Sequence, residues 1–230
     1  MTAPLKIISS MATKELLAIL CPQYALSSAT PVTFEAIGGV EVNRRIRAGE
    51  AVDVVLLAAN AIDTLIAERH LVAGSRVDIV KSGIAVAVRA GSARPDIGSE
   101  EAVRRAVLAA RKLSYSSGPS GVYLEKLFER WGVTAEIKPR LVLAPPGMPV
   151  GALLAKGEAD LGFQQLSELK HLPGLDILGP LPPAIQLITT FAAGLSVTST
   201  RTAAVLTLLD YMNSPAALKA KQESGMQPAK

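Results

Sequence analysis

Ile46-Arg47-Ala48-Gly49-Glu50-Ala51 and, 108 residues later, Leu154-Ala155-Lys156-Gly157-Glu158-Ala159 carry one pattern twice. At the same offset Ser9 meets Ser117, Gly39 meets Gly147, Leu16 meets Leu124 and Leu20 meets Phe128. Each half reads in the same order: strand, serine loop, helix, strand, glycine loop, helix, Gly-Glu-Ala, strand. The glycine of Gly-Glu-Ala predicts a left-handed stop to a helix just before the next strand. Repetition at a fixed spacing points to two similar lobes made by duplication.

Outward from these stretches, short β-branched runs alternate with helical patterns, which predicts an α/β fold with mainly parallel sheets. Strands are expected at Leu5–Ile8, Val32–Ile37, Asp53–Leu57, Ile84–Val88, Leu113–Tyr115, Arg140–Leu143, Leu161–Phe163 and Ile185–Thr189. Helices are expected at Lys14–Leu20, Val40–Arg47, Val122–Trp131 and Thr202–Met212, each with apolar residues at helical spacing. The order places a second lobe, residues 83–188, inside a first lobe made of 1–82 and 189–230. Two crossover strands would then form a hinge, with a ligand cleft between the lobes. The uncharged segment Ile177–Thr200 contains Gly179, Pro180, Pro182, Pro183 and Gly194, so it reads as loop plus buried strand rather than a spanning helix.

Composition narrows the function classes. The chain has 230 residues, 49% of them hydrophobic, which supplies a substantial core and excludes a disordered or disulfide-stapled chain. One cysteine, Cys21, excludes an internal disulfide and a thiolate cluster, and His70 and His171 alone make a histidine-rich metal site a poor expectation. A net charge of +4 without a basic run, and 4% aromatic residues, argue against nucleic acid as a partner. The Gly-x-Gly-x-x-Gly spacing and a Gly-Lys-Ser/Thr loop are both missing from the sequence, so no cofactor and no metal are expected. Met1–Ala12 lacks the basic start and long apolar run of a signal peptide. The chain as written is therefore expected to be cytoplasmic, and periplasmic if a leader precedes it in the natural product. A monomer is expected.

Four strand-to-helix junctions carry small or hydroxyl residues: Ser9-Ser10, Gly38-Gly39, Ser116–Gly121 and Pro145–Pro149. Helix starts present unpaired N–H groups and partial positive charge, serines add donors, and glycine lets the backbone come close. Any one such junction is explained as well by capping and turn chemistry. Four together predict a site for a small anion. Arg44, Arg45 and Arg47 follow the glycine loop and read as a solvated helical face. Cys21, before Pro22, reads as a partly buried residue at a helix end.

Ser9-Ser10-Met11-Ala12-Thr13 before a helix resembles the opening of type 2 periplasmic solute-binding proteins of the molybdate-binding class. Pro119-Ser120-Gly121-Val122-Tyr123 is similar to that family's Pro-Ala-Gly-x-Tyr helix, and Gly157-Glu158-Ala159-Asp160-Leu161-Gly162-Phe163 to its Gly-Glu-Ala-Asp-x-Gly stretch. The resemblance implies a small anionic ligand held by Ser9, Ser10, Gly38, Gly39, Ser117, Gly118, Ser120 and a backbone N–H near Gly147 and Met148. It also implies an ABC-transporter permease as partner if the chain is exported. Gln165 stands where the family has a ligand-binding tyrosine, and Ile37-Gly38-Gly39-Val40 replaces a serine-rich stretch. A glutamine amide both donates and accepts, which suits a carboxylate ligand as well as an oxyanion. Aconitate isomerase, similar in architecture, implies the alternative: an allylic proton shift on an unsaturated polycarboxylic acid. That chemistry needs a base, for which Glu168, Glu35 and His171 are the candidates.

Overall fold

The computed structural model describes residues 3–145 and 147–229, so Pro146 of the second glycine loop lies outside the described residues. The chain forms two compact units, Met1–Ser82 with Thr189–Lys230, and Gly83–Ile188.

In the first unit β1 (Leu5–Ser10) leads through a short turn into α1 (Lys14–Ser28), β2 (Val32–Ile37), α2 (Gly39–Arg47), β3 (Val54–Ala58) and α3 (Ala59–Ala67). β1 lies between β2 and β3 and is parallel to both. Alternation in β3 sends Val54 and Leu56 into one apolar cluster with Leu16, Leu17 and Leu20 of α1. Val55 and Leu57 enter another with Val42 and Ile46 of α2 and Ile62 and Leu65 of α3. The sheet is therefore covered on both faces, as parallel strands require.

β4 (Val77–Arg89) carries the chain from the first unit into the second. There α4 (Glu100–Ala109), β5 (Leu113–Tyr115), α5 (Pro119–Arg130), α6 (Thr134–Ile137), α7 (Val150–Ala155), β6 (Leu161–Gln165), α8 (Leu166–Leu169) and β7 (Leu175–Pro180) follow. β5 and β6 are parallel, and β4 runs antiparallel to β6 and β7. Ile84, Val86 and Val88 pack with Leu124, Leu127 and Phe128, while Ala85 and Ala87 pack with Val150, Leu153 and Leu154. The first unit is completed by β8 (Ile188–Leu195), α9 (Thr202–Met212), α10 (Leu218–Glu223) and β9 (Gln227–Pro228). β8 is antiparallel to β3, and β9 to the first part of β4. The α/β expectation holds, with a refinement. Parallel pairing belongs to the strand–helix–strand parts, and the strands joining the two units make the sheets mixed.

Both repeated glycines adopt the expected left-handed backbone, with φ of 82° at Gly49 and 74° at Gly157. The repeated pattern also includes an aspartate. Asp53 takes a bond from its own N–H to the Lys6 carbonyl (2.9 Å) and accepts the Lys6 N–H on its carboxylate (2.8 Å). Asp160 does the same with Lys112, at 2.9 and 3.1 Å. Each aspartate ties the start of one strand to its parallel neighbour.

Three local expectations change. α1 does not stop at Leu20 but runs through Pro22 to Ser28, ending at Ala29 with φ of 54°. Proline in a helix interior forfeits one hydrogen bond and costs about 3 kcal/mol. Burial of Cys21 and Tyr24, which extend the stripe of Leu16, Leu17 and Leu20, offsets that cost. Arg140–Leu143 is not a strand: Val142 and Ala144 donate to the Leu113 and Tyr115 carbonyls, but Leu143 is half exposed and no ladder forms. Ile185–Thr189 begins as a single turn at Pro183–Ile185, and the strand starts only at Ile188.

Candidate functional site

In the first unit the β1–β2 register sets Ser9 opposite Ala36 and Ser10 opposite Ile37. The carboxyl end of β1 therefore emerges beside Gly38-Gly39, which opens α2. Ser9 is fully buried and its hydroxyl donates to the Ser10 carbonyl at 3.3 Å. The Ser10 hydroxyl is buried without a hydrogen-bond partner in the structure. A buried hydroxyl left so forfeits roughly 1–3 kcal/mol, which a ligand atom would recover. In α2 the first intrahelical bond runs from the Val42 N–H to the Gly38 carbonyl (3.0 Å). The N–H groups of Gly39, Val40 and Glu41 precede it, so the helix itself supplies no acceptor for them. Open space surrounds the Cα of Gly38 where a side chain would project, so the backbone at this end is accessible.

In the second unit the parallel β5–β6 register pairs Tyr115 with Phe163. Ser116–Ser120 and Gln165–Glu168 consequently leave the sheet at the same end. The Ala144 N–H, bonded to the Tyr115 carbonyl at 3.2 Å, brings the approach to Gly147 and Met148 there as well. Gly118 caps α5 and Pro119 occupies its first turn, leaving the Ser120 and Gly121 N–H groups ahead of the first intrahelical bond, Val122 N–H to Gly118 carbonyl. Ser117 is exposed and Ser120 buried. Two residues of the Pro-Ser-Gly-Val-Tyr motif are architectural. A Cβ on Gly121 would lie 1.6 Å from the Ser116 carbonyl oxygen, and the Tyr123 hydroxyl donates to the Ile185 carbonyl at 2.9 Å.

The second glycine loop differs from its expected role. Gly147 is left-handed (φ 80°), and the Met148 N–H closes a turn onto the Pro145 carbonyl at 3.0 Å. The Val150 N–H at the start of α7 is likewise engaged, by the Gln164 side-chain oxygen at 2.9 Å. That helix start is thus occupied from within, and Met148 leaves the set of open backbone donors.

Gln164 is the residue the sequence reading missed. Its amide nitrogen donates to Glu168 Oε1 at 2.8 Å while its oxygen holds Val150. Gln164 and Gln165 are each 2% exposed, at the end of a strand otherwise made of Leu161, Gly162 and Phe163. Two adjacent amides closing a buried strand were the available signal. Burial pushes the Glu168 carboxyl up to about 7, against the lowering effect of the Gln164 hydrogen bond. Near neutral pH this group is divided between acid and base.

The other candidate bases separate from it. Glu35 lies on β2 with its carboxylate held bidentately by Arg45, 2.8 Å on each oxygen, and that hydrogen-bonded pairing holds it below its ordinary range. An exposed, ion-paired carboxylate is a weak base, so Glu35 leaves the set. His171 is exposed in the turn after α8. Arg44 pairs with Glu41, Arg45 with Glu35 and Glu50, and Arg47 with Glu68, so these cations serve the α2 surface. Cys21 is buried within α1, and desolvation pushes its thiol up to about 12, which makes it inert.

A family model of bacterial extracellular solute-binding proteins matches residues 5–227. Aconitate isomerase of a Pseudomonas species is 40% identical over 190 residues, covering 81% of this chain and 71% of that protein. The periplasmic molybdate-binding protein of Azotobacter vinelandii superposes with a TM-score of 0.80 at 21% identity, over 98% of this chain and 100% of that one. The tungstate ABC transporter protein of Geobacter sulfurreducens superposes with a TM-score of 0.75 at 18% identity, over 94% and 97%. Likeness at such identities establishes the fold. With the family match spanning nearly the whole sequence, the chain belongs to the bacterial extracellular solute-binding proteins.

Proposed function

We propose that the chain binds a small carboxylate anion and isomerises it, the substrate being an unsaturated tricarboxylic acid of the aconitate type. The observation that carries this reading is Glu168, a partly buried carboxyl with a pKa near 7 at the loop edge of the second unit. A group balanced between its two protonation states is suited to take a proton and return it. Kinship with an aconitate isomerase at 40% identity supports the same chemistry.

The substrate has a CH2 group next to a carbon–carbon double bond, with carboxylates on both sides. Ionised Glu168 takes a proton from the CH2 carbon, and the electron pair spreads over the allylic carbons and a carboxylate. The proton then returns to the far allylic carbon, so the double bond moves by one position and Glu168 is ionised again. Charge developing on a carboxylate is stabilised by fixed donors that need no rearrangement during reaction. The groups of the second unit assigned to this are the hydroxyls of Ser117 and Ser120, the N–H group of Gly118 and the Gln165 amide.

A second reading is capture without turnover, in an exported solute-binding protein that delivers an anion to an ABC permease. It is favoured by the neutral character of the assigned donors and by the ion pairs that engage Arg44, Arg45 and Arg47. Ultraviolet absorbance of cis- and trans-aconitate solutions separates the two. Interconversion by wild-type protein and its loss in Glu168→Gln supports the isomerase. A rise in melting temperature with molybdate, tungstate or sulfate, with aconitate neither binding nor reacting, overturns it in favour of capture.

A further inference from the structure

The hydrogen bonds around Gln164 can be followed in one direction only. A backbone N–H donates and never accepts, so the atom of Gln164 facing Val150 at 2.9 Å is its carbonyl oxygen. The amide NH2 must then face Glu168, where it meets Oε1 at 2.8 Å. An NH2 group needs an acceptor, and in a protonated carboxyl the carbonyl oxygen fills that role while the hydroxyl oxygen does so poorly. We propose that Gln164 is the positioning residue for Glu168: anchored by the Val150 N–H, its amide donates to Oε1, reserving that oxygen as an acceptor and leaving Oε2 to carry the transferable proton.

The inference rests on the acid–base reading of Glu168 given above, and it adds two things to it. One is the identity of the reacting oxygen. The other is a fixed relation between the acid–base group and α7, whose start the same amide holds directly after the Gly147 loop. Burial of Gln164 at 2% exposure keeps water from replacing either bond. The elements packed against α8 add little charge to this arrangement. α7 (Val150–Ala155) and β6 (Leu161–Gln165) have no ionisable side chain, and Asp176 on β7 is engaged by the Gly91 N–H at 3.2 Å and by Arg94 at 3.6 Å. Lys170 and His171 follow on the same short segment as Glu168. The Gln164 hydrogen bond lowers this carboxyl against the raising effect of its burial.

The test is a pH titration of the Glu168 carboxyl carbon by NMR on 13C-glutamate-labelled full chain, with Glu168→Gln assigning the resonance. In Gln164→Met, which keeps side-chain length and loses both bonds, the midpoint is expected to rise by about one pH unit, because a donor to the ionised form has been removed. In Gln164→Glu, which keeps an acceptor for Val150 but places a carboxylate beside Glu168, it is expected to rise further. With aconitate as substrate, kcat of Gln164→Met should fall at least about tenfold with KM little changed, and the limb of the pH–rate profile should move with the carboxyl midpoint. A folded Gln164→Met protein whose Glu168 midpoint matches wild type overturns the inference. Should that variant not fold, the wild type still decides. The Gln164 side-chain 1H and 15N shifts must follow the Glu168 ionisation, and shifts that ignore it overturn the proposal. The titration needs no turnover. Failure of aconitate to react, with the carboxyl responding to Gln164 as expected, removes the isomerase reading and leaves the hydrogen-bond assignment standing.

Discussion

Replacing Glu168 by glutamine should stabilise the protein at alkaline pH and leave it unchanged in acid. Glutamine keeps the shape and an acceptor for the Gln164 amide, so the substitution isolates the ionisation. The carboxyl moves from an ordinary value of 4.5 to about 7 on folding. At about 1.4 kcal/mol per tenfold change, that corresponds to roughly 3 kcal/mol. The folded state holds this proton more tightly than the unfolded chain, so the sign follows directly. Below pH 4.5 both states are protonated and the group contributes no difference. Between 4.5 and 7 the unfolded chain ionises first and stability falls as pH rises. Above 7 both are ionised and the full loss remains. Wild type and Glu168→Gln should therefore match near pH 4.5, and the variant should exceed wild type by about 3 kcal/mol at pH 8. The single tryptophan, Trp131, lies in the unit that carries Glu168, packed 5.7 Å from the Phe128 ring, so its fluorescence follows the unfolding of that unit in urea. With a slope of about 2 kcal/mol per molar urea, the midpoints should separate by roughly 1.5 M at pH 8. Other titrating groups are common to both proteins and cancel in the comparison. A midpoint difference that is the same at pH 4.5 and pH 8 would mean that folding leaves this carboxyl at its ordinary value, and would overturn the expectation.

Ser120→Ala should weaken anion binding by about 1–3 kcal/mol if its hydroxyl meets the ligand; isothermal titration with citrate reads this, and unchanged affinity removes Ser120 from the site. Gly121→Ala should destabilise the second unit by roughly 3 kcal/mol, since the added methyl meets the Ser116 carbonyl at 1.6 Å and must displace backbone; an unaltered urea midpoint counts against this packing. Burial alone would raise the Asp53 carboxyl, but bonds from Arg201, Ser199 and the Lys6 N–H together bring it below its ordinary value. Asp53→Asn should therefore cost about 3 kcal/mol at pH 7, and the difference from wild type should shrink as pH falls through the ordinary carboxylate range, where the unfolded chain takes up its proton first, until the native carboxylate is protonated as well; a pH-independent difference would contradict the pairing.

Much of the fold was legible because the signals were local. Thr202–Met212 forms the helix its apolar spacing predicts, Val32–Ile37 and Leu113–Tyr115 form the expected strands, and Gly49 and Gly157 stop helices as their position before a strand implies. The omissions have physical reasons. α3 has Ala58 at its cap and no capping side chain, so nothing marks its start. α1 continues through Pro22 because tertiary burial outweighs a local penalty, which no window of sequence displays. At the site, hydroxyl and glycine loops could be recognised by type, but whether a donor is open depends on its neighbours. Met148 lost its N–H to a turn and Glu35 its basicity to Arg45, and both partners are visible only in space. Gln164 was missed for the same reason, its importance lying in the two groups it joins.

The two repeated stretches differ at a position that can be aligned by conformation. Ala58 caps α3 with φ −55° and ψ 139°, and Gln165 caps α8 with φ −55° and ψ 136°. Each stands five residues after the aspartate, Asp53 or Asp160, that ties its strand to a neighbour. On that alignment Leu57 corresponds to Gln164, and Ala61 to Glu168. Leu57 lies beside the start of α2, its Cδ2 3.7 Å from where a side chain on Gly39 would begin. Gln164 lies beside the start of α7 and takes the Val150 N–H. An apolar side chain cannot accept a hydrogen bond, so Leu57 leaves the first N–H groups of α2 available, and the glycines at 38 and 39 keep the approach to them clear. A glutamine in the same place consumes the helix start and turns its remaining hydrogen-bonding capacity toward a carboxyl. The same junction is thus built in two ways: in the first unit a helix start beside an apolar side chain, in the second a helix start engaged by a side-chain amide that also bonds a carboxyl.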